Sequence, residues 1–216
     1  MSLNLIRIVV KKEILFNGLV LLLLFCFFPA FSQNADIRIL RSINSPEILP
    51  TDKFFQFMSN SDAYISLGIP ATMATVGFIK HDDKLLRNAC VTFAAISVNS
   101  AITLAIKYSF NRARPYITYP DIVKKSVGGS PSFPSGHTSM AFSTATSLSL
   151  EYPKWYIIIP AYTWAATVGY SRMYLGVHYP SDVLVGALIG SGSAWVTYFV
   201  NKKLYKKSSK KSCDCP

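Results

Sequence analysis

Residues 183–200 read VLVGALIGSGSAWVTYFV, eighteen positions without a charge, and Asn201, Lys202 and Lys203 follow at once. A helix needs about 20 predominantly apolar residues to cross a bilayer, and the cytoplasmic ends of such helices collect lysine and arginine. The run approaches that length once its flanks are counted. Six lysines crowd the segment after it: Lys202, Lys203, Lys206, Lys207, Lys210 and Lys211. Four more charge-free runs lie upstream, at 63–79, 88–106, 138–150 and 155–171. The run 138–150 is short and holds Ser139, Ser143, Thr144, Thr146, Ser147 and Ser149. It reads as a helix shielded inside a bundle, its hydroxyls bonded to neighbours or to its own backbone. Pro70 and Pro160 fall inside runs, which membrane helices tolerate. The expected fold is therefore all-α, a polytopic transmembrane helical bundle of five membrane helices.

Composition agrees with that reading. Half of the 216 residues are hydrophobic and only 15% are charged, against about 25% in an ordinary soluble domain. Mean hydropathy is +0.30. The formal net charge of +11 suits an anionic membrane surface or an acidic substrate. No aromatic-interleaved basic face appears that would suit a nucleic acid, so none is expected as a partner. The four cysteines, Cys26, Cys90, Cys213 and Cys215, complete no zinc-site spacing.

The start of the chain carries Arg7, Lys11 and Lys12, then an apolar stretch over 14–28, then Ala30-Phe31-Ser32. That is the order of a secretory signal with a small-x-small cleavage site. The rival is an uncleaved first transmembrane helix, and both place residue 33 outside the cytoplasm. The chain thus divides into a signal or first helix over 1–32, one helical domain over 33–201, and a basic cytoplasmic tail over 202–216. Residues 36–60 place Ile37, Leu40 and Ile43 near helical spacing, with Phe54, Phe55, Phe57 and Met58 after Pro50. They suit a short helix on the outer leaflet or one packed on the bundle. The loop 80–87 then faces the cytoplasm with Lys80, Lys84 and Arg87, and 107–135 is external. External Arg112, Arg114, Lys124, Lys125 and Arg172 run against the positive-inside rule unless some of them serve function.

Three segments at predicted external helix ends carry the chemistry. The first runs from Lys107 to Arg114-Pro115, the second is Pro131-Ser132-Phe133-Pro134-Ser135-Gly136-His137, and the third runs from Ser171-Arg172 through His178 to Asp182. Lys107, Arg114 and Arg172 supply fixed positive charge; arginine grips phosphate oxygens as a fork and lysine as a point charge. Ser135-Gly136-His137 opens a helix, whose free N–H groups and dipole make an anion site. Gly136 permits close approach of the backbone. Pro180 suits a first helical position, which puts Asp182 in the first turn and His178 just before it. Asp182 then orients one nitrogen of His178 and leaves the other as a nucleophile, while His137 is left to protonate a leaving oxygen. Arg112 reads as a neighbour without a catalytic role, and Ser132 as a helix-start residue. His81, beside Asp82 and Asp83, reads as part of a solvated loop and not as a metal ligand.

The pattern K-x6-R-P, P-S-x-x-S-G-H and S-R-x5-H-x3-D, read from Lys107 to Asp182, resembles the type 2 phosphatidic acid phosphatase superfamily. That group includes bacterial class A acid phosphatases and vanadium haloperoxidases, and the likeness covers about residues 52–200. The resemblance implies a helical-bundle catalytic domain over 33–201 with no metal cofactor. It implies that Lys107, Arg114, Ser135, Gly136 and Arg172 hold the phosphate. It implies that His178 forms a phosphohistidine supported by Asp182, and that His137 protonates the leaving group.

The expected protein is a lipid phosphatase of the bacterial cytoplasmic membrane with its site facing the periplasm. Undecaprenyl pyrophosphate, phosphatidylglycerophosphate, phosphatidic acid and lipid A all fit as substrates. The alternatives are a soluble periplasmic acid phosphatase with the same site, a vanadium haloperoxidase, and a non-catalytic lipid-binding protein. The apolar run before the basic tail opposes the first, the short chain the second, and the intact motif residues the third.

Overall fold

A computed structural model describes residues 34–213, with side chains to residue 205. The predicted signal or first helix over 1–32 lies outside the described residues. Residues 34–39 group with the N-terminal unit, and residues from Leu40 onward form the second unit.

Helix α1 covers 34–43. It is followed by α2 (Thr51–Lys80), α3 (Asp83–Phe110), the single turn α4 (Pro115–Thr118), α5 (Gly136–Glu151), α6 (Trp155–Tyr174) and α7 (Pro180–Cys213). No strand occurs among the described residues. Three of these helices, α2, α3 and α7, are long and apolar enough to cross a membrane. Helix α5 is the 16-residue element expected to be shielded, and its Ser139, Ser143, Thr144, Thr146 and Ser147 are all buried. Helix α6 has 20 residues with Pro160 inside.

The long helices are inverted relative to a soluble protein. Helix α2 buries Ser59, Asp62 and Ser66, spaced three and four apart on one face, and exposes Phe57, Tyr64, Leu67 and Phe78. Helix α7 likewise turns Leu184, Leu188, Trp195 and Val200 outward. Polar faces inward and apolar faces outward are what a hydrocarbon solvent requires. Helix α2 begins at Thr51, twelve positions before the charge-free run, so Phe54, Phe55, Phe57 and Met58 belong to it and not to a separate interfacial helix. Helix α7 passes unbroken beyond residue 201, where the sequence divides domain from tail. At 1.5 Å per residue its 34 residues reach about 50 Å, well beyond a ~30 Å hydrocarbon core.

Turns between helices are tight. His81 ends α2 in the left-handed region (φ 52°), and the Asp82 carboxylate caps α3 by accepting Leu85 N–H at 3.0 Å. His81 and Asp82 are thus structural, and no group of three metal-ligating side chains occurs among the described residues. Helices α5 and α7 pack backbone to backbone. A Cβ on Gly190 would stand 2.1 Å from Ser139 O, and one on Gly186 2.7 Å from Ser135 O. Residues 186–190 form a G-x-x-x-G stripe, which allows such approach without a side chain between the axes. This contact sets the start of α5 against the start of α7, where the second and third motifs lie.

Candidate active site

The chain places all eight residues predicted for the site at one end of the bundle. Lys107 closes the last turns of α3, and Arg114 precedes Pro115 at the start of α4. Ser135 is the N-cap of α5, and Gly136 and His137 are its first residues. Arg172 ends α6, His178 lies in the connection after it, and Asp182 is the third residue of α7. A cavity of about 460 Å³ is lined by Lys107, Arg114, Gly136, His137, Arg172 and His178. Ser135 and Asp182 stand behind that wall. Ser135 N–H donates to Asp182 O at 3.0 Å, tying the cap of α5 to the first turn of α7. The Ser135 hydroxyl pairs with Thr138 Oγ1 at 2.8 Å.

The three cations are buried, with relative exposures of 5% for Lys107, 5% for Arg114 and 1% for Arg172. They donate to carbonyl and hydroxyl oxygens and not to a carboxylate. Lys107 Nζ donates to Pro131 O at 2.6 Å. Arg114 donates through Nε to Ser130 O at 2.8 Å and through Nη1 to Val177 O at 2.9 Å. Arg172 Nη1 donates to Ser59 Oγ, and its Nε has no partner. A buried ion costs several kcal/mol unless it is paired, and neutral oxygens do not discharge a cation. With three cations and the single carboxylate of Asp62 on its wall, the cavity favours an anion. A Cβ on Gly136 would meet nothing closer than 3.8 Å. The protein's own packing therefore does not demand glycine there, whereas close approach of an anion to the first turn of α5 does. At Gly128 the opposite holds: a Cβ would stand 2.7 Å from Arg114 Nη1, so glycine lets loop 127–130 close over the guanidinium.

His178 is 1% exposed. Its Nε2 lies 3.4 Å from Arg114 Nη1. Arginine can only donate, so Nε2 presents its lone pair and the ring proton sits on Nδ1. Nδ1 points at Asp182 Oδ2 from 3.4 Å, within ion-pair range but beyond a closed hydrogen bond. Burial, against the pull of Asp182, pushes the imidazole down to about 3. His178 is therefore neutral at ordinary pH, with its lone pair on Nε2. The His137 ring lines the same cavity and makes no hydrogen bond to any described side chain.

Two residues matter more here than their sequence context suggests. Arg112 Nη1 donates to Asp182 Oδ1 at 2.7 Å and to Ser181 Oγ at 2.8 Å, and its guanidinium lies 3.9 Å over the Tyr179 ring. Ser132 Oγ donates to Asp182 Oδ2 at 2.5 Å, where Tyr179 N–H also donates at 3.0 Å. Arg112 is thus a neighbour tied to the site through Asp182, and Ser132 is not a helix-start residue, since Ser135 holds that place. Together they fix the carboxylate that faces His178. The charge of Arg112 on a loop that the sequence predicts to be external, against the positive-inside rule, was the available sign.

The family model described as PAP2 superfamily matches residues 88–206. The chain is 38% identical over 94 residues to a lipid A 4'-phosphatase of Bacteroides thetaiotaomicron, a match over 44% of this chain and 42% of that protein. It is 29% identical over 165 residues to an undecaprenyl-diphosphatase of Sulfolobus acidocaldarius, over 76% of this chain and 75% of that one. The crystal structure of Aquifex aeolicus LpxE superposes with a TM-score of 0.63 at 32% identity, over 76% of this chain and 94% of that one. That of a transmembrane PAP2 type phosphatidylglycerolphosphate phosphatase from Bacillus subtilis superposes with a TM-score of 0.69 at 23% identity, over 86% of this chain and 96% of that one, a likeness of fold.

Proposed function

The chain belongs to the PAP2 superfamily, and from that premise we propose that it is a metal-independent phosphatase acting on a membrane lipid phosphate. The observation that carries this is the cavity itself. Three buried cations with no carboxylate within ion-pair range, a helix N-terminus and the Nε2 lone pair of His178, which faces Arg114 Nη1 at 3.4 Å, converge on one space. Relatives named as lipid A phosphatases and an undecaprenyl-diphosphatase support the lipid as substrate class. So does the position of the cavity, whose margins on α2 and α3 include the exposed Ala63 and Leu104.

The reaction runs in two displacements. His178 Nε2 attacks phosphorus, the P–O bond to the lipid alcohol breaks, and the departing oxygen takes a proton from His137. His137 then removes a proton from water, the water oxygen attacks phosphorus, and the P–N bond to His178 breaks. Asp182 stabilises the charged imidazole during the first step. Lys107, Arg114, Arg172 and the N–H groups of α5 hold the charge on the transferring group, the work a metal ion does elsewhere. Release of inorganic phosphate from a panel of lipid phosphates in detergent, with and without EDTA, tests the reading. Activity that survives the chelator and falls with vanadate is expected; loss restored by Mg²⁺ or Zn²⁺ defeats it.

The site faces the periplasm and the lysine-rich end of α7 the cytoplasm, in line with the charge of the loops. Val127 is 89% exposed beside the cavity. A cysteine at Val127 should label with an impermeant thiol reagent in intact spheroplasts while Cys213 and Cys215 stay protected, and the reverse pattern would invert the topology.

A further inference from the structure

One carboxylate lies inside the cavity. Asp62, on α2, is 3% exposed and lines the space also lined by Lys107, Arg172 and His137. It stands one turn along α2 from Ser59, whose hydroxyl receives Arg172. Its Oδ1 accepts from Ser66 Oγ at 3.3 Å, and its Oδ2 makes no hydrogen bond among the described residues. Asp62 forms no ion pair within 4 Å, unlike Asp182, which is matched by Arg112. A second acceptor lines the same cavity. Asn99, on α3, donates Nδ2 to Ser139 Oγ at 3.2 Å, while its Oδ1 is buried without a partner. Thr103 and Asn99 lie one and two turns before Lys107 on α3, and Thr103 Oγ1 meets Ser139 Oγ of α5 at 3.1 Å.

An unpaired carboxylate repels the phosphate that the cations attract, and an unpaired buried acceptor carries a desolvation penalty. Two such acceptors in one cavity are resolved together by a ligand that brings hydrogen-bond donors. We infer that Asp62 Oδ2 and Asn99 Oδ1 form an acceptor subsite for hydroxyl or amide N–H groups on the alcohol half of the substrate. This rests on the lipid phosphatase reading and narrows it. The favoured substrates are phosphate esters with a donor close to the phosphorylated carbon, as in a sugar or a glycerol with a free hydroxyl. Esters whose neighbouring oxygens are all acylated, or whose alcohol is a plain hydrocarbon chain, are disfavoured. The asymmetry has a physical source: a site built to bond a hydroxyl rejects the analogue lacking it, because its own buried groups are then left unpaired.

Lysophosphatidic acid and phosphatidic acid differ at the hydroxyl next to the phosphorylated carbon, free in one and acylated in the other. The test is the ratio of kcat/KM for these two lipids in one detergent, for the wild type and for Asp62→Ala, Asp62→Asn and Asn99→Leu. p-Nitrophenyl phosphate serves as a donor-free reference and vanadate inhibition reports the phosphate cradle. The wild-type ratio should favour the lyso lipid and fall roughly 10- to 100-fold in Asp62→Ala, the worth of one charged hydrogen bond. Asp62→Asn, which keeps an acceptor oxygen, should fall less, and vanadate should bind the Asp62 variants no more weakly than the wild type. An unchanged ratio overturns the subsite. Weaker vanadate binding with an equal loss on all three substrates also overturns it, and makes Asp62 a support for Arg172. Absence of phosphate release from all three by the wild type defeats the phosphatase reading instead.

Discussion

Helix α5 buries a polar cluster at each end, and the two are finished differently. At its start, Lys107, Arg114 and Arg172 rest on carbonyl oxygens and a hydroxyl and face a cavity. At its end, Glu151 receives the Thr92 hydroxyl at 3.4 Å on both oxygens, and Asn88 donates to the Tyr152 hydroxyl at 3.3 Å. Arg87 lies 4.3 Å over the Tyr205 ring there. None of these residues lines the cavity. Burial of polar groups is common to both ends and so does not mark function. The mark is buried charge left facing space, where only a ligand completes the pairing.

The sharpest test lies at the start of α5. His178→Ala should abolish turnover and leave no covalent phosphate, since it removes the attacking nitrogen. His137→Ala should lose about a hundredfold to ten-thousandfold on a lipid substrate. With p-nitrophenyl phosphate, whose leaving group needs little protonation, it should still be phosphorylated and then stall. Rapid quench should show a nitrophenolate burst and an acid-labile phosphoprotein in His137→Ala only. A phosphoprotein in His178→Ala that is missing from His137→Ala would exchange their roles.

Next in size is Arg172→Lys. A lysine keeps the charge but loses the fork. Removal of one preorganised donor to a transferring group costs about 10²–10³ in kcat, and steady-state kinetics with vanadate inhibition should show the loss and the weaker binding together. A lysine variant with wild-type kinetics would mean that charge alone suffices at this end.

Arg112 sits one step back from the cavity and should cost less. Arg112→Ala frees one oxygen of Asp182 but leaves the Ser132 and Tyr179 bonds in place. A loss of about 10- to 100-fold in kcat with little change in KM is expected from one charged hydrogen bond, together with a displaced acid limb of the pH–rate profile. Ser132→Ala should cost about fivefold. Equal falls in folded yield and activity, with an unmoved pH profile, would reduce Arg112 to a structural role.

The smallest effect belongs at the far end of α5. Glu151→Gln keeps the shape and the hydrogen-bonding capacity toward Thr92. Its turnover should stay within about twofold of the wild type, since shape-preserving replacement of a paired group is close to neutral. A hundredfold loss there would erase the contrast between the two ends.

The bundle was legible because apolar runs and loop charges are local properties of the chain. The five runs correspond to α2, α3, α5, α6 and α7, and the three motifs fell at one end through alternation of direction alone. What stayed hidden depends on partners distant in sequence. Asp62 ended the charge-free run at 63 and so read as a boundary, yet it lies in the middle of α2 with its carboxylate inward. Helix α2 starts at Thr51, and Asp52 in its first turn is held by Lys125 at 3.0 Å and by the Tyr174 hydroxyl at 2.8 Å, 73 and 122 positions away. Arg112 and Ser132 acquire their meaning from Asp182, 70 and 50 positions later. No periodicity reports such pairings.

The glycine stripe on α7 has a consequence for how this site could be altered. Because Gly186 and Gly190 let α7 touch the backbone of α5 at Ser135 and Ser139, the gap between the first turn of α5 and the first turn of α7, just after His178, is a caliper set by main chain. Side-chain rotamers do not adjust it. Changes at Asp62 on α2 or Asn99 on α3 alter what the caliper is offered without moving its jaws. Redesign of selectivity and repair of catalytic geometry are therefore separable engineering problems in this chain. The first belongs to α2 and α3, and the second to two glycines a single turn apart.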